Sequence, residues 1–298
     1  MTHAVPAIEA DLAYRACEQV TRREAANFFY GIRLLPRAKR EAMAAVYAFA
    51  RRVDDIGDGE LDRTAQILGL AGQRRTIVAL RDAEGPDPDD PVAVALAHAH
   101  ARYELPLDAL ELLIDGVELD VRGTRYETFD DLVVYCRDVA GSIGRLCLAI
   151  FSDGQRCRSP EASALADELG VAMQLTNIIR DIVEDHERGR TYLPAEDLRR
   201  FGCEALPFVA PDQGAALIRF EAARAADWFS RGLQLTELLD ARSASCVLAM
   251  TGIYRSILGR IVAEPTIVLR RRISLPVWEK AWLAATSVIH GRAPGGRA

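Results

Sequence analysis

The sequence predicts an all-α protein. Three observations carry this reading: long stretches rich in Ala, Leu, Arg and Glu, a scarcity of alternating strand patterns, and Pro, Gly and acidic breaks between the stretches. No internal repeat and no change of composition marks a linker. The economical arrangement is therefore one domain over residues 1–298, built from roughly ten helices, with loose ends at about 1–15 and 291–298.

The elements follow in order. Pro36 suits the first turn of a helix running through Arg37–Val53 and beyond. Asp82–Pro91, with three prolines and five acids, reads as a surface loop. Thr128-Phe-Asp-Asp131 has the form of a capping box, with Asp in place of the usual Glu, opening a helix over Leu132–Phe151. Pro160 opens another, carrying Leu165, Leu169, Met173, Ile178 and Ile182. Gly202–Gln213 and Glu264–Pro276 read as irregular.

Composition narrows the function. Lys+Arg 37 against Asp+Glu 43 gives a net charge of −6, which argues against a nucleic-acid partner. All the cations except Lys39 and Lys280 are arginines, and guanidinium groups are permanent, fork-shaped anion binders. Six cysteines without a CxxC pair argue against a zinc ribbon or a thioredoxin-type motif. With no signal peptide and no long uninterrupted apolar run, the expected location is cytoplasmic.

Two acidic segments carry the chemistry. Asp54 and Asp58 lie four apart, on the face that also bears Tyr47 and Arg51. Gln174, Asn177, Asp181 and Asp185 form a second polar stripe on an otherwise apolar helix. Spacing alone is weak evidence: among 23 aspartates, three pairs fall four apart, and such pairs also occur on solvated helix faces. The apolar runs before Asp54 and Asp181 argue instead that both stripes face inward. Facing carboxylates then need a cation between them, and aspartate oxygens suit Mg²⁺, which takes one or two carboxylates plus phosphate oxygens. The image is of two helices clamping Mg²⁺ ions (or Mn²⁺ in their place) that hold a diphosphate.

At this point the chain resembles a known family, the squalene/phytoene synthases, or head-to-head prenyltransferases. The matching stretches are Asn27–Pro36, Ala45–Asp58, Tyr135–Gly144, Gln174–Asp185 and Arg188–Pro194. The wording of Phe29–Pro36 and Ile114–Asp120 is most similar to bacterial presqualene diphosphate synthases of the hopanoid route. The resemblance implies an isoprenoid-synthase-type helical bundle around a central cavity. It implies condensation of two farnesyl diphosphates to presqualene diphosphate with release of diphosphate. Asp54, Asp58, Asn177, Asp181 and Asp185 would hold metal, and the four aspartates would serve catalysis together with Tyr47, Tyr135, Tyr192 and Tyr254. Asn27, Phe28, Arg51, Gln174, Arg180, Arg188 and Arg190 would contact substrate, and Ala140, Gly141 and Gly144 would let a prenyl chain lie against backbone. Many relatives carry His or Ser before the Phe, where this chain has Ala25-Ala26-Asn27, so Asn27 is the substitute phosphate contact.

No GxGxxG loop is present, and NADPH is not expected. Ala44 and Ile32 are assigned to the cavity floor, where their modest size leaves room for a C20 chain. The rival readings are phytoene, dehydrosqualene or squalene synthesis on the same fold, a terpene cyclase, and a catalytically dead assembly protein. Intact motif aspartates argue against the last. The greasy product implies shallow contact with the inner membrane surface and hand-over to downstream pathway enzymes.

Overall fold

The computed structural model describes residues 7–25, 27–82, 85–155 and 159–291. Among them every regular element is helical. In chain order these are α1 (Ala7–Glu24), α2 (Phe28–Ile32), α3 (Arg37–Asp58), α4 (Arg63–Arg81), α5 (Pro91–Tyr103), α6 (Leu107–Arg122) and α7 (Phe129–Cys136). There follow α8 (Ser142–Phe151), α9 (Pro160–Arg180), α10 (Ile182–Glu187), α11 (Ala195–Phe201), α12 (Pro211–Gly232), α13 (Ala241–Ala263) and α14 (Val277–His290).

Helices α2, α3, α6, α8, α9 and α13 ring a central cavity. Outside them α1 and α5 cover α3, α4 covers α6, α12 covers α9, and α14 covers α13. Phe49, Leu96, Leu110, Ile114, Leu146 and Phe229 are among the fully buried side chains that fill the spaces between these layers. Lys39 ties three elements together: its buried ammonium donates to the carbonyl of Phe151 at 2.6 Å and to Asp240, the N-cap of α13, at 2.9 Å. Helix α13 is long and apolar enough to cross a membrane, with a mean hydropathy of 1.4, but 56% of its apolar window is buried in the bundle, as befits a core helix.

The capping box forms as read: Thr128 accepts from the Asp131 amide, and Asp131 accepts from the Thr128 amide at 2.9 Å. The helix it opens is interrupted by a π turn at Arg137–Gly141 before α8 continues. The second acidic stripe also breaks, because Asp181 leaves helical geometry (φ −104°, ψ 15°) and separates α9 from α10. The loose amino terminus expected through residue 15 is instead helical from Ala7, with Ala10, Ala13 and Tyr14 buried against α3 and α5. The loop at 82–91 ends earlier than read, since Asp90 caps α5 and Pro91 opens it. Pro211 opens α12 in the same way, and Pro265–Leu269 forms a 3₁₀ turn where irregular chain was expected. Cys17, Cys136, Cys147, Cys203 and Cys246 are unpaired thiols. Cys157, Ala26 and the tail after Gly291 lie outside the described residues.

Candidate active site

The cavity has a volume of about 480 Å³ and two unlike ends. Its polar end is built by both acidic segments. Asp54 and Asp58 come from the last turns of α3, and Asp181 and Asp185 come from the α9–α10 junction. Asp54 lines the cavity with part of its side chain exposed, and its carboxyl is crowded by protein. That confinement, with Asp58 nearby, pushes its carboxyl up to about 7. Asp185 is likewise raised to about 7, by burial and by the adjacent Asp181.

Arginines hold the other two aspartates. Arg190 reaches Asp58 at 2.6 Å and the Gly57 carbonyl at 3.0 Å, and Arg188 reaches Asp58 at 3.1 Å. Gly189 between them has φ +73°, a left-handed turn that glycine adopts without strain and that directs both guanidinium groups to one carboxylate. Arg180, 5% exposed, forks onto Asp181 through Nε at 2.7 Å and Nη2 at 2.5 Å. Arg272 approaches Asp181 at 3.0 Å and Glu184 at 3.3 Å.

The amides complete this end. Asn177 Nδ2 donates to Gln174 Oε1 at 3.3 Å, while the buried Asn177 Oδ1 has no protein partner. Arg51 lines the cavity, pairs with Asp55 at 2.6 Å, and keeps a buried Nε without an acceptor. Unsatisfied buried polar atoms are costly. A free amide oxygen and two raised carboxyls therefore mark a place for a cation, and a spare guanidine N–H marks one for an anion.

Among the described residues, no three acidic, His or Cys side chains converge closely enough to hold an ion by themselves. An ion bound together with diphosphate would need few carboxylates, because substrate oxygens complete its coordination shell. The donor set (Asp54, Asp58, Asn177, Asp181, Asp185) is all oxygen and suits a hard cation.

Beside the acids stands an aromatic wall. The Tyr135 and Tyr192 hydroxyls each donate to one oxygen of Asp120 at 2.9 Å, and their rings stack at 5.3 Å. Burial pushes both phenols well above their usual range and lifts Asp120 to about 6. Tyr47 lines the cavity and is pushed up to about 12, chiefly by burial. Phe28 lies between Tyr47 and Tyr254, with ring centroids at 6.5 and 5.8 Å. Tyr254 is buried behind Phe28, its hydroxyl close to Arg180, and does not line the cavity.

The apolar end is walled by Ile32, Met43, Val46, Ile143, Phe151, Leu169, Met173, Leu235, Val247 and Met250. Ile32 is there as expected; Ala44 is not, being buried on another face of α3. Ala140 and Gly144 line the cavity, but Gly141 does not. A side chain at Gly141 would strike Asp167, and one at Gly144 would strike the Ala166 carbonyl at 2.2 Å. Gly170 faces the Ala140 carbonyl in the same way, at 2.3 Å. These glycines set the close approach of α8 to α9. Asn27 sits at the start of α2, outside the lining, with no capping hydrogen bond from its side chain.

Sequence reasoning missed three charged lining residues, Asp120, Glu184 and Arg272. Asp120 stood in a segment used only for resemblance, and nothing local shows that two distant tyrosines share it. Arg272 follows Arg270 and Arg271 in a run that reads as surface charge.

The squalene/phytoene synthase family pattern matches residues 21–279. The phytoene synthase of Mycobacterium tuberculosis (strain ATCC 25618 / H37Rv) is 46% identical over 94% of this chain and 92% of its own length. The 15-cis-phytoene synthase of Synechococcus elongatus (strain ATCC 33912 / PCC 7942 / FACHB-805) is 35% identical over 90% of each. Among solved structures, a dehydrosqualene synthase in complex with ligand superposes with a TM-score of 0.85, at 27% identity over 95% of this chain and 97% of that one. The squalene synthase HpnC from Alicyclobacillus acidocaldarius gives 0.78, at 30% identity over 90% and 98%.

Proposed function

The chain belongs to the squalene/phytoene synthase family of prenyltransferases, and from that premise we propose that it joins two farnesyl diphosphates head to head into presqualene diphosphate. The observation that carries the chemistry is the pairing of two acidic motifs at one end of an apolar cavity.

Mg²⁺ supplies neutralisation of the charge that gathers on a departing diphosphate. Asp54, Asp58, Asn177, Asp181 and Asp185 would hold it. Arg51, Arg180, Arg188, Arg190 and Arg272 face the same space and would contact phosphate oxygens directly. The allylic C–O bond of one substrate breaks, and its electron pair leaves with the diphosphate. The double bond of the second substrate attacks the resulting cation. A proton is then lost as the three-membered ring closes.

The apolar walls exclude water, which would otherwise quench the cation. The ring faces of Phe28 and Tyr47 lie where they stabilise it. The Tyr135 and Tyr192 oxygens already direct their own protons to Asp120, so each keeps lone pairs free, and the released diphosphate is the alternative proton acceptor.

Two lines support the C15 chain: the wording of Phe29–Pro36 and Ile114–Asp120, and the bulk of Phe151, Met43 and Met250 at the apolar end. A second reading, geranylgeranyl diphosphate to a phytoene-type product, has its own support in the 46% identity to a phytoene synthase. Incubation with each diphosphate and Mg²⁺, with and without NADPH, followed by product mass, separates them. A C30 cyclopropyl diphosphate formed without NADPH supports the first reading, and a C40 product overturns it. Absence of diphosphate release from either substrate overturns both.

A further inference from the structure

We propose that the outer face of α14 is a docking surface for an anionic lipid bilayer; this rests on the prenyl-transfer reading for its purpose, though not for its test. Four of the eleven exposed large hydrophobic side chains among the described residues lie on this one helix: Val277 (70% exposed), Trp278 (70%), Trp282 (60%) and Ile289 (72%). The other seven are spread over the rest of the molecule.

Residues 278, 282, 285 and 289 are spaced four, three and four, so Trp278, Trp282, Ala285 and Ile289 form one continuous stripe. The opposite stripe of Lys280, Ala284 and Ser287 is buried against the bundle. An apolar helix face left in water is unfavourable. Paired tryptophans suit a membrane surface, because the indole ring is apolar while its N–H is polar.

Charge selects the occupant. The chain as a whole carries −6, which disfavours approach to an anionic surface. This end is locally basic. Arg270 and Arg271 lead into α14, Arg255 lies on the neighbouring α13, and Arg33 ends α2, against which α14 packs. All four are exposed, and none is within 4 Å of a carboxylate among the described residues. Of the nearby acids, Glu279 is already paired with Arg260, and Glu264 stands exposed at the end of α13, so four arginines face one unpaired acid here. A greasy stripe near guanidinium groups that no carboxylate neutralises, with Arg33 resting over the Phe29 ring, admits one orientation on a bilayer. A second copy of the chain fits less well, since one stripe of a fourteen-residue helix falls short of the roughly 800 Å² per partner that a stable dimer buries.

The placement is also useful. Helix α14 packs on α2, whose Phe28 and Ile32 line the cavity, and Arg272 on the segment entering α14 lines it too. Docking through α14 brings that wall of the cavity to the surface in which prenyl chains dissolve.

The test is flotation of the full chain with vesicles of phosphatidylcholine alone or with phosphatidylglycerol, in parallel with turnover assayed in detergent. The expected result is binding to the phosphatidylglycerol vesicles that falls at least tenfold in 0.5 M salt or in W278Q/W282Q. Detergent turnover and melting temperature should stay unchanged, and W278F/W282F should retain binding. R270E/R271E should lose binding in the same assay. No flotation of the wild-type chain overturns the proposal, and so does equal binding by W278Q/W282Q. A wild-type dimer that this variant converts to monomer, without vesicle binding, assigns the stripe to a second copy and overturns it as well. Since flotation does not depend on catalysis, loss of the prenyl-transfer reading and loss of this one are seen separately.

Discussion

The two acidic motifs have the same spacing and opposite construction. In the first, α3 runs unbroken through Asp54 and Asp58, and the outer member, Asp58, is held by Arg188 and Arg190. In the second, the helix breaks at Asp181, and this inner member is held by Arg180 and Arg272. Each motif thus offers one arginine-bound carboxylate and one, Asp54 or Asp185, without an arginine contact and pushed up to about 7. The comparison separates two jobs that a shared spacing conceals. All four would serve the metal site, but Asp58 and Asp181 also anchor arginines at the polar end of the cavity, while Asp54 and Asp185 do not.

The largest effects break the comparison on the catalytic side. D54N and D185N should each lower kcat for diphosphate release by about 10²–10³-fold, the scale seen when a group stabilising transition-state charge is removed. D58N and D181N should be similarly impaired, because the metal site needs both motifs. Near-normal turnover in D54N would mean that the cation is held elsewhere.

Stability should divide the same four variants. Arg180 is 5% exposed, so D181N leaves a buried guanidinium without its fork partner and should cost about 3 kcal/mol in metal-free unfolding experiments. D54N and D185N remove confined like charges and should raise the metal-free melting temperature by about 2 °C. Equal shifts in all four would show that the division of labour is absent.

How much of this was legible follows from the range of each interaction. Helix starts at Thr128 and Pro160 were readable because a cap or an N1 proline acts within one turn, and Pro36 sits one residue earlier than read, at the N-cap of α3. The acidic motifs were readable because apolar neighbours fix which face turns inward. The break at Asp181 was not, since the periodicity of Ile178 and Ile182 continues across it and only the backbone angles reveal the change. Asp120 was hidden for a different reason: its role exists only once Tyr135 and Tyr192, from two other segments, stack beside it. The small residues of the Ala140–Gly144 segment were read as room for a chain. Gly141 in fact serves the contact of α8 with α9, and Gly144 serves both.

That contact gives the next prediction. Gly170 faces the Ala140 carbonyl at 2.3 Å from where a Cβ would stand, so both backbones must part in G170A. A cost of about 1–3 kcal/mol is expected, with loss of turnover because α9 carries Gln174 and Asn177 into the site. Substitution at Gly189, where nothing lies within 4 Å, should spare the packing and weaken only the Arg188–Arg190 turn.

The smallest effect tests a third carboxylate arrangement, away from the metal motifs. Asp197 on α11 and Glu221 on α12 are both buried and share one guanidinium, with Arg224 at 2.5 Å from the first and 3.1 Å from the second. The same guanidinium lies 4.0 Å from the centroid of the Phe129 ring, at the start of α7. One cation cannot neutralise two buried acids, and burial raises Glu221 from 4.5 to about 7. The folded chain therefore keeps a proton on Glu221 that the unfolded chain releases near 4.5. Stability contributed by this group is intact below that value and declines as pH rises toward 7. E221Q, neutral at every pH, should flatten this decline and melt about 2 °C above the wild-type chain at pH 8 while matching it at pH 4.5. Parallel melting curves for the two proteins across that range would show that Glu221 stays ionised beside Arg224, and that sharing an arginine costs a buried pair nothing.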